Sequence, residues 1–138
     1  MSGSARIPII KLYDNLIVSI QVALSDRLVM LLKDDITNEI EETGARGLVV
    51  DVSGIDVMDS YISRAIRDIG LIAQLMGVRT VISGMDPMIA MTLVEMGLDL
   101  KGVYSALNLE AALELMKRLE KEGRRRDRRI RKVETKNA

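Results

Sequence analysis

The chain has 138 residues, 48% hydrophobic and 29% charged, enough for one domain with one core and a solvated surface. It contains no Cys and no His, which excludes disulfides, thiolate chemistry, Cys/His zinc sites and histidine acid–base catalysis. The net charge of zero hides an asymmetry: residues 117–138 hold eleven Lys/Arg against four Asp/Glu, a net +7, and the rest of the chain carries −7.

RIPIIKLYDNLIVSIQV reads as two strands joined at an Asp14-Asn15 turn. In the second strand Leu16, Val18 and Ile20 alternate with Ile17, Ser19 and Gln21, so one face is expected to be less buried. SDRLVMLLKDDITNEIEETG predicts a helix. Ser25 or Asp26 caps it, Leu28, Leu32, Ile36 and Ile40 form its ridge, and Gly44 stops it. GLVVDV, residues 47–52, is short, apolar and β-branched, as a buried central strand is. Residues 60–76 predict the clearest helix. Ile62, Ala65, Ile66, Ile69, Ile72, Ala73 and Met76 make its apolar face, with Ser63, Arg64, Arg67 and Asp68 largely off it.

Gly77 ends that helix, and VRTVIS predicts a further strand. Asp86-Pro87 opens a helix that stops at Gly97. GVYS supplies a short last strand, and Asn108 caps a final helix whose core face includes Ala112, Leu113, Met116 and Leu119. The order β-β-α-β-α-β-α-β-α predicts one α/β domain over residues 1–119, with helices packed against a mixed, mostly parallel sheet. After Leu119 the apolar periodicity stops, and residues 120–138 (EKEGRRRDRRIRKVETKNA) predict a basic, disordered tail. With no Phe, no Trp and three Tyr, the core falls to Leu, Ile, Val and nine adaptable Met. The N-terminus lacks the apolar centre of a secretory signal, and no apolar run reaches the roughly 18 residues of a membrane span. A soluble cytoplasmic protein is the expectation.

No phosphate-binding P-loop, dinucleotide fingerprint, nucleophile elbow or specified carboxylate dyad occurs, so an enzyme is not expected. The informative stretch is DVSGIDVMDSYI. Asp51 and Ser53 fall at the carboxyl end of the central strand, Asp56 in the following loop, and Asp59 and Ser60 where the best helix begins. Open α/β sheets place function at such strand ends. One reading is capping, in which Asp59 or Ser60 accepts a bond from a first-turn N–H, worth about 1 kcal/mol. The other is phosphorylation of Ser60. A phosphate adds about −1.5 to −2 charges; the helix start welcomes it, and Asp56 and Asp59 repel it. Ser63, on the polar side of the same helix, reads as a solvated serine or a secondary phosphosite. Arg64 and Arg67 read as a solvated face or as contacts for a partner's acids. Thr80 and Ser83 read as structural.

DVSGIDVMDSYI also resembles the D-x-S-x-x-x-x-x-D-S signature of STAS domains, the sulfate-transporter and anti-sigma-factor-antagonist module, and the element order agrees over residues 5–119. Within that family, IPIIKLYDNLIVSIQ, ETGARGLVVDVSGIDVMDSYISR and AQLMGVRTVISGMDP resemble the RsbS-type scaffolds of the bacterial stressosome. Many STAS domains place Gly-Leu soon after the serine; this chain has Tyr61-Ile62-Ser63 there. The resemblance implies a cytoplasmic scaffold without activity, cofactor or metal, assembled with RsbR-like STAS paralogues into a large complex. Such a scaffold holds an RsbT-like serine/threonine kinase, which phosphorylates it at the position of Ser60, and an RsbX-like phosphatase resets it. The resemblance further implies that Asp59 positions the phosphoacceptor and that Asp51 and Ser53 shape the loop; Asp56 and Arg64, by their positions beside Ser60, are expected to flank the phosphosite and the partner-binding surface. Two alternatives stand beside it. One is a direct antagonist of an anti-sigma kinase. The other is a nucleic-acid-binding module using the basic tail, which departs from the family pattern but lacks aromatic residues to stack bases.

Overall fold

The computed structural model describes residues 6–21, 23–56, 59–95 and 103–136. The elements run β1 (Ile9–Leu12), β2 (Asn15–Ser19), α1 (Asp26–Thr43), β3 (Gly47–Asp51), α2 (Ser60–Leu75), β4 (Arg79–Ser83), α3 (Pro87–Glu95), β5 (Val103–Ala106) and α4 (Leu109–Lys136). This is the order the sequence predicts. The five strands form one sheet in the order β1-β2-β3-β4-β5. β1 is antiparallel to β2, and the remaining pairings are parallel.

The opening turn sits one residue earlier than expected. Leu12 pairs with Asn15, so Tyr13 and Asp14 form the loop. Tyr13 takes φ 56°, the positive φ that the first loop position of a primed hairpin turn requires. The shift has a cause in β3: the Asp14 carbonyl accepts the N–H groups of Arg46 (2.8 Å) and Gly47 (3.3 Å), which ties the hairpin to the start of the central strand. Asn15 is thereby held in the ladder opposite Gly47.

Period-2 alternation divides the sheet into two apolar faces. Leu16, Val18, Ile20, Leu48, Val50, Val52 and Ile82 pack with Leu32, Ile36 and Ile40 of α1, Ile66, Ile69 and Ala73 of α2, and Ile89 and Leu93 of α3. On the other face Ile17, Val49 and Val81 pack with Ala112, Met116 and Leu119 of α4. Three strands therefore carry apolar residues on both sides. The face of β2 expected to be less buried is covered by α4 at Ile17, while Ser19 is half-buried and Gln21 exposed. Each fully buried Val, Leu or Ile contributes roughly 1.5–3 kcal/mol relative to exposure.

The helix ends follow the sequence signals. The Ser25 hydroxyl accepts the Leu28 N–H (3.2 Å), and the Gly44 N–H, at φ 65°, closes α1 on the Ile40 carbonyl (2.9 Å). The Asp86 carboxylate accepts the Ile89 N–H (2.9 Å), and the Asn108 side chain accepts the Ala111 N–H (2.8 Å). The expected stop at Gly97 lies outside the described residues.

A disordered tail is expected over residues 120–138, and residues 120–136 of it are helical. α4 runs on as helix to Lys136, 28 residues in all. At about 1.5 Å per residue it is about 42 Å long, whereas a five-residue strand spans about 17 Å. Arg, Lys and Glu are good helix formers, and Arg124 donates to Glu120 at 2.8 Å one turn away. A segment can thus lack apolar periodicity and still be helical. Gly123, inside this helix, lies under the Arg79 guanidinium, and an added Cβ would meet Arg79 Nη2. That group is the far end of a flexible side chain and can move aside. Gly123→Ala is therefore expected to raise stability by up to about 1 kcal/mol, read as a higher urea midpoint with stronger helical circular dichroism.

Candidate functional site

The carboxyl edge of the sheet carries a polar rung. Ser19 of β2 pairs with Asp51 of β3, and Asp51 pairs with Ser83 of β4. The Asp51 carboxylate accepts from the hydroxyls of Ser53 (2.9 Å), Ser83 (3.1 Å) and Ser19 (3.5 Å), and from the Ser53 N–H (3.4 Å). Gln21 in turn donates to the Ser19 hydroxyl at 3.0 Å. One carboxylate thus ties together the ends of three strands and the start of the β3–α2 loop. The backbone repeats the tie. Ile20 N–H donates to the Asp51 carbonyl (3.0 Å), Val52 N–H to the Ser83 carbonyl (2.9 Å), and Ile55 N–H back to the Val52 carbonyl (3.0 Å). Gly84, at φ 78°, closes the rung: an added Cβ would stand 2.7 Å from Ser53 Cβ and 2.8 Å from Asp51 Oδ1.

The loop then passes exposed Asp56 and reaches α2 at Asp59. Of the two capping candidates it is Asp59 that caps. Its backbone is extended, and its carboxylate accepts the Ile62 N–H at 2.8 Å. Ser60 is the first helical residue, exposed, and its hydroxyl has no hydrogen-bond partner among the described residues. Ser63 lies where the sequence misplaces it. It is 1% exposed rather than on the polar side, and its hydroxyl donates to the Asp59 carbonyl at 2.8 Å. The hydroxyl satisfies itself on the preceding turn, which lets a serine occupy an inward position on an amphipathic helix. The two serines of α2 thus divide into one free and one internally bonded.

Arg64 is exposed beside this start. Arg67 is half-buried, reaches Asp68 at 3.5 Å and leaves its Nε buried without a partner among the described residues. Asp68 also binds Lys33 of α1 at 3.2 Å, joining the two helices. Tyr61 faces the start of α1. A hydrogen bond to Asp26 raises its phenol above the usual 10.0; slight desolvation and the negative charges of Asp26 and Asp59 act in the same direction.

Asp51, Ser53, Asp56, Asp59 and Ser60 therefore share one loop and its flanks, as the sequence predicts. Ser19 and Ser83 join them, although the sequence marks Ser19 only as a strand residue and Ser83 only as structural. Their partner lies 32 residues away in each case, and only strand register brings them together. Among the described residues no group of three or more Asp or Glu converges as a metal site. No helix among them is long and apolar enough to cross a membrane.

Two outcomes test this geometry. Gly84→Ala is expected to destabilise the domain by about 1–3 kcal/mol, through both the left-handed backbone and the clash with Ser53, and urea denaturation reads it. In an ultraviolet titration, one tyrosine is expected to ionise above pH 10, and Tyr61→Phe removes that step. The raised phenol pKa means its contribution to stability is present below pH 10 and fades as pH rises beyond it.

The STAS domain profile matches residues 6–114. A solved serine-to-glutamate variant of RsbS from Moorella thermoacetica is 38% identical, superposes with a TM-score of 0.76, and is matched over 85% of this chain and 99% of its own. A chain in a structure described as the molecular architecture of the stressosome, a signal integration and transduction hub, is 39% identical with a TM-score of 0.74, over 82% of this chain and 98% of its own. The RsbT co-antagonist protein RsbRD of Bacillus subtilis is 36% identical over 66 residues, 48% of this chain and 24% of that protein, so the match spans about a quarter of its length. The chain belongs to the STAS domain family.

Proposed function

We propose that the chain is a non-enzymatic scaffold of a stressosome-type signalling complex, and that it holds a serine/threonine kinase until Ser60 is phosphorylated. The observation that carries this is the state of Ser60: an exposed, unbonded hydroxyl at the first position of a well-formed helix, beside a cap supplied by another residue. The similarity to RsbS and to a stressosome chain supports the scaffold role, and the similarity to an RsbT co-antagonist protein supports assembly with RsbR-like STAS paralogues. α3 supports assembly too. Met91 and Val94 on its outer side are 62% and 78% exposed, an apolar stripe of the kind interfaces cover.

The kinase is RsbT-like, and the transfer is ordinary phosphoryl chemistry. Ser60 Oγ attacks the γ-phosphorus of the kinase-bound ATP, a kinase base takes the hydroxyl proton, and ADP leaves. The product adds about −1.5 to −2 charges at a helix start, where N–H groups and the dipole favour an anion. Asp59 already occupies one of those N–H groups, and Asp56 lies in the same loop, so the phosphate joins two existing carboxylates. The fold has no need to change, because among the described residues the Ser60 hydroxyl has no hydrogen bond to lose. What changes is the potential of the surface presented to the kinase. An RsbX-like phosphatase resets the serine by hydrolysis.

Incubation with the cognate kinase and ATP, followed by phosphopeptide mapping, is expected to place the phosphate on Ser60 and none on the buried Ser63. Ser60→Ala abolishes the modification and shifts stability by no more than about 0.5 kcal/mol, as for other exposed sites. Ser60→Glu weakens kinase retention at least tenfold, about 1.4 kcal/mol, in a pull-down with RsbR-like paralogues present. A phosphate confined to another residue defeats the reading. Solution mass separates the two roles within the family: a megadalton complex with the paralogues marks a scaffold, and a small heterodimer with an anti-sigma kinase marks a direct antagonist.

A further inference from the structure

The last four turns of α4 have no place in the core. Its final buried residue is Leu119, and beyond Gly123 the helix continues to Lys136, about 20 Å further at 1.5 Å per residue. Residues 124–136 hold eight Lys/Arg and two Asp/Glu, a net +6. They also carry two outward apolar residues one turn apart, Ile130 at 51% and Val133 at 58% exposure. The projecting arm is thus a narrow apolar seam set in a basic rod. The RsbS variant structure is matched over 99% of its own length by only 85% of this chain, so part of this chain has no counterpart there.

A surface of opposite character lies on the other side of the domain. Arg6, Ile7 and Ile9 line a groove against α1 whose rim carries Asp35, Asn38, Glu39 and Glu42. Arg6 pairs with Asp35, and among the described residues the two glutamates have no ion-pair partner. The rim is acidic and Ile9 is its one partly exposed apolar residue, so the groove complements a basic rod chiefly in charge. The arm cannot reach this groove in its own molecule. α4 packs on one face of the sheet and α1 on the other, and the arm is an unbroken helical continuation of α4.

We propose that the α4 arm, residues 124–136, docks in the α1 groove of a second copy of this chain. Arginines meet Glu39 and Glu42, and Ile130 and Val133 lie toward the partly exposed Ile9. The contact is heterologous, arm to groove, so it propagates from copy to copy and either closes a ring or extends a chain. The charge division of the chain favours this occupant over nucleic acid: the net +6 of the arm is matched by the body's own −6, and no aromatic residue on the arm offers a base a stacking surface. The contact goes beyond the scaffold reading and does not rest on it, since Ser60 lies in neither surface.

A chain without cysteine allows a direct test. Full-length Ile130→Cys and full-length Asn38→Cys are mixed under mild oxidation. The expected product is a disulfide-linked pair containing one of each, with a yield that falls at least tenfold between about 50 mM and about 500 mM salt, as screening of exposed charges demands. Arg128→Glu with Arg131→Glu in the arm partner abolishes that product, and adding Glu39→Arg with Glu42→Arg to the groove partner restores it. Absence of mixed pairs while each variant remains folded overturns the proposal, and so does mixed pairing that ignores salt and charge reversal. Salt-dependent binding of the arm to DNA or RNA with no mixed pairs assigns it to nucleic acid and overturns the proposal equally. None of these results bears on where the kinase places its phosphate, so the two readings fail independently.

Discussion

The Asp51 carboxylate is the constraint from which the candidate site follows. A carboxylate at the end of a central strand is costly to leave partly buried unless hydrogen bonds satisfy it. Here the hydroxyls of Ser19, Ser53 and Ser83 do so, and they belong to β2, the β3–α2 loop and the end of β4. Satisfying one charge therefore aligns three strand ends and sets the direction in which the chain leaves the sheet. Gly84 has no side chain because that carboxylate and Ser53 occupy the space. The loop is built on this rung, and α2 starts where the loop delivers it.

The helix start divides labour between neighbours. Asp59 meets the backbone's need for a cap, and its carbonyl receives the Ser63 hydroxyl. Ser60, between them, is left with no structural task. A hydroxyl with no hydrogen bond to give up among the described residues is compatible with the reversible modification proposed above. The same turn of helix supplies both the rigid frame and the expendable group.

Much of the fold was legible in the sequence because its signals are local. The caps at Ser25, Asp86 and Asn108, the αL stop at Gly44 and the element order all follow from residues within a few positions of one another. What escaped depends on distance or on three-dimensional context. Ser19 and Ser83 reach Asp51 only through strand register. Ser63 sits on the inner side because its hydroxyl bonds back to the turn, so its polarity misled the reading of the helix face. The opening turn shifted because the Asp14 carbonyl answers N–H groups more than thirty residues on. The end of α4 looked like a disordered tail because polarity without periodicity was read as disorder, although most residues there are the good helix formers Arg, Lys and Glu.

The division of the core between two faces has a consequence for how the domain is made. Ile17, Val49 and Val81 belong to strands synthesised early or midway, and the helix that covers them is the last element of the chain. Until α4 has emerged, a nascent chain can close the α1–α2 side while the opposite side of its sheet stays bare, β-branched and adhesive. Such a half-covered sheet is the kind of surface on which incomplete chains aggregate. During that interval the exposed face remains dependent on whatever shields it in the cell.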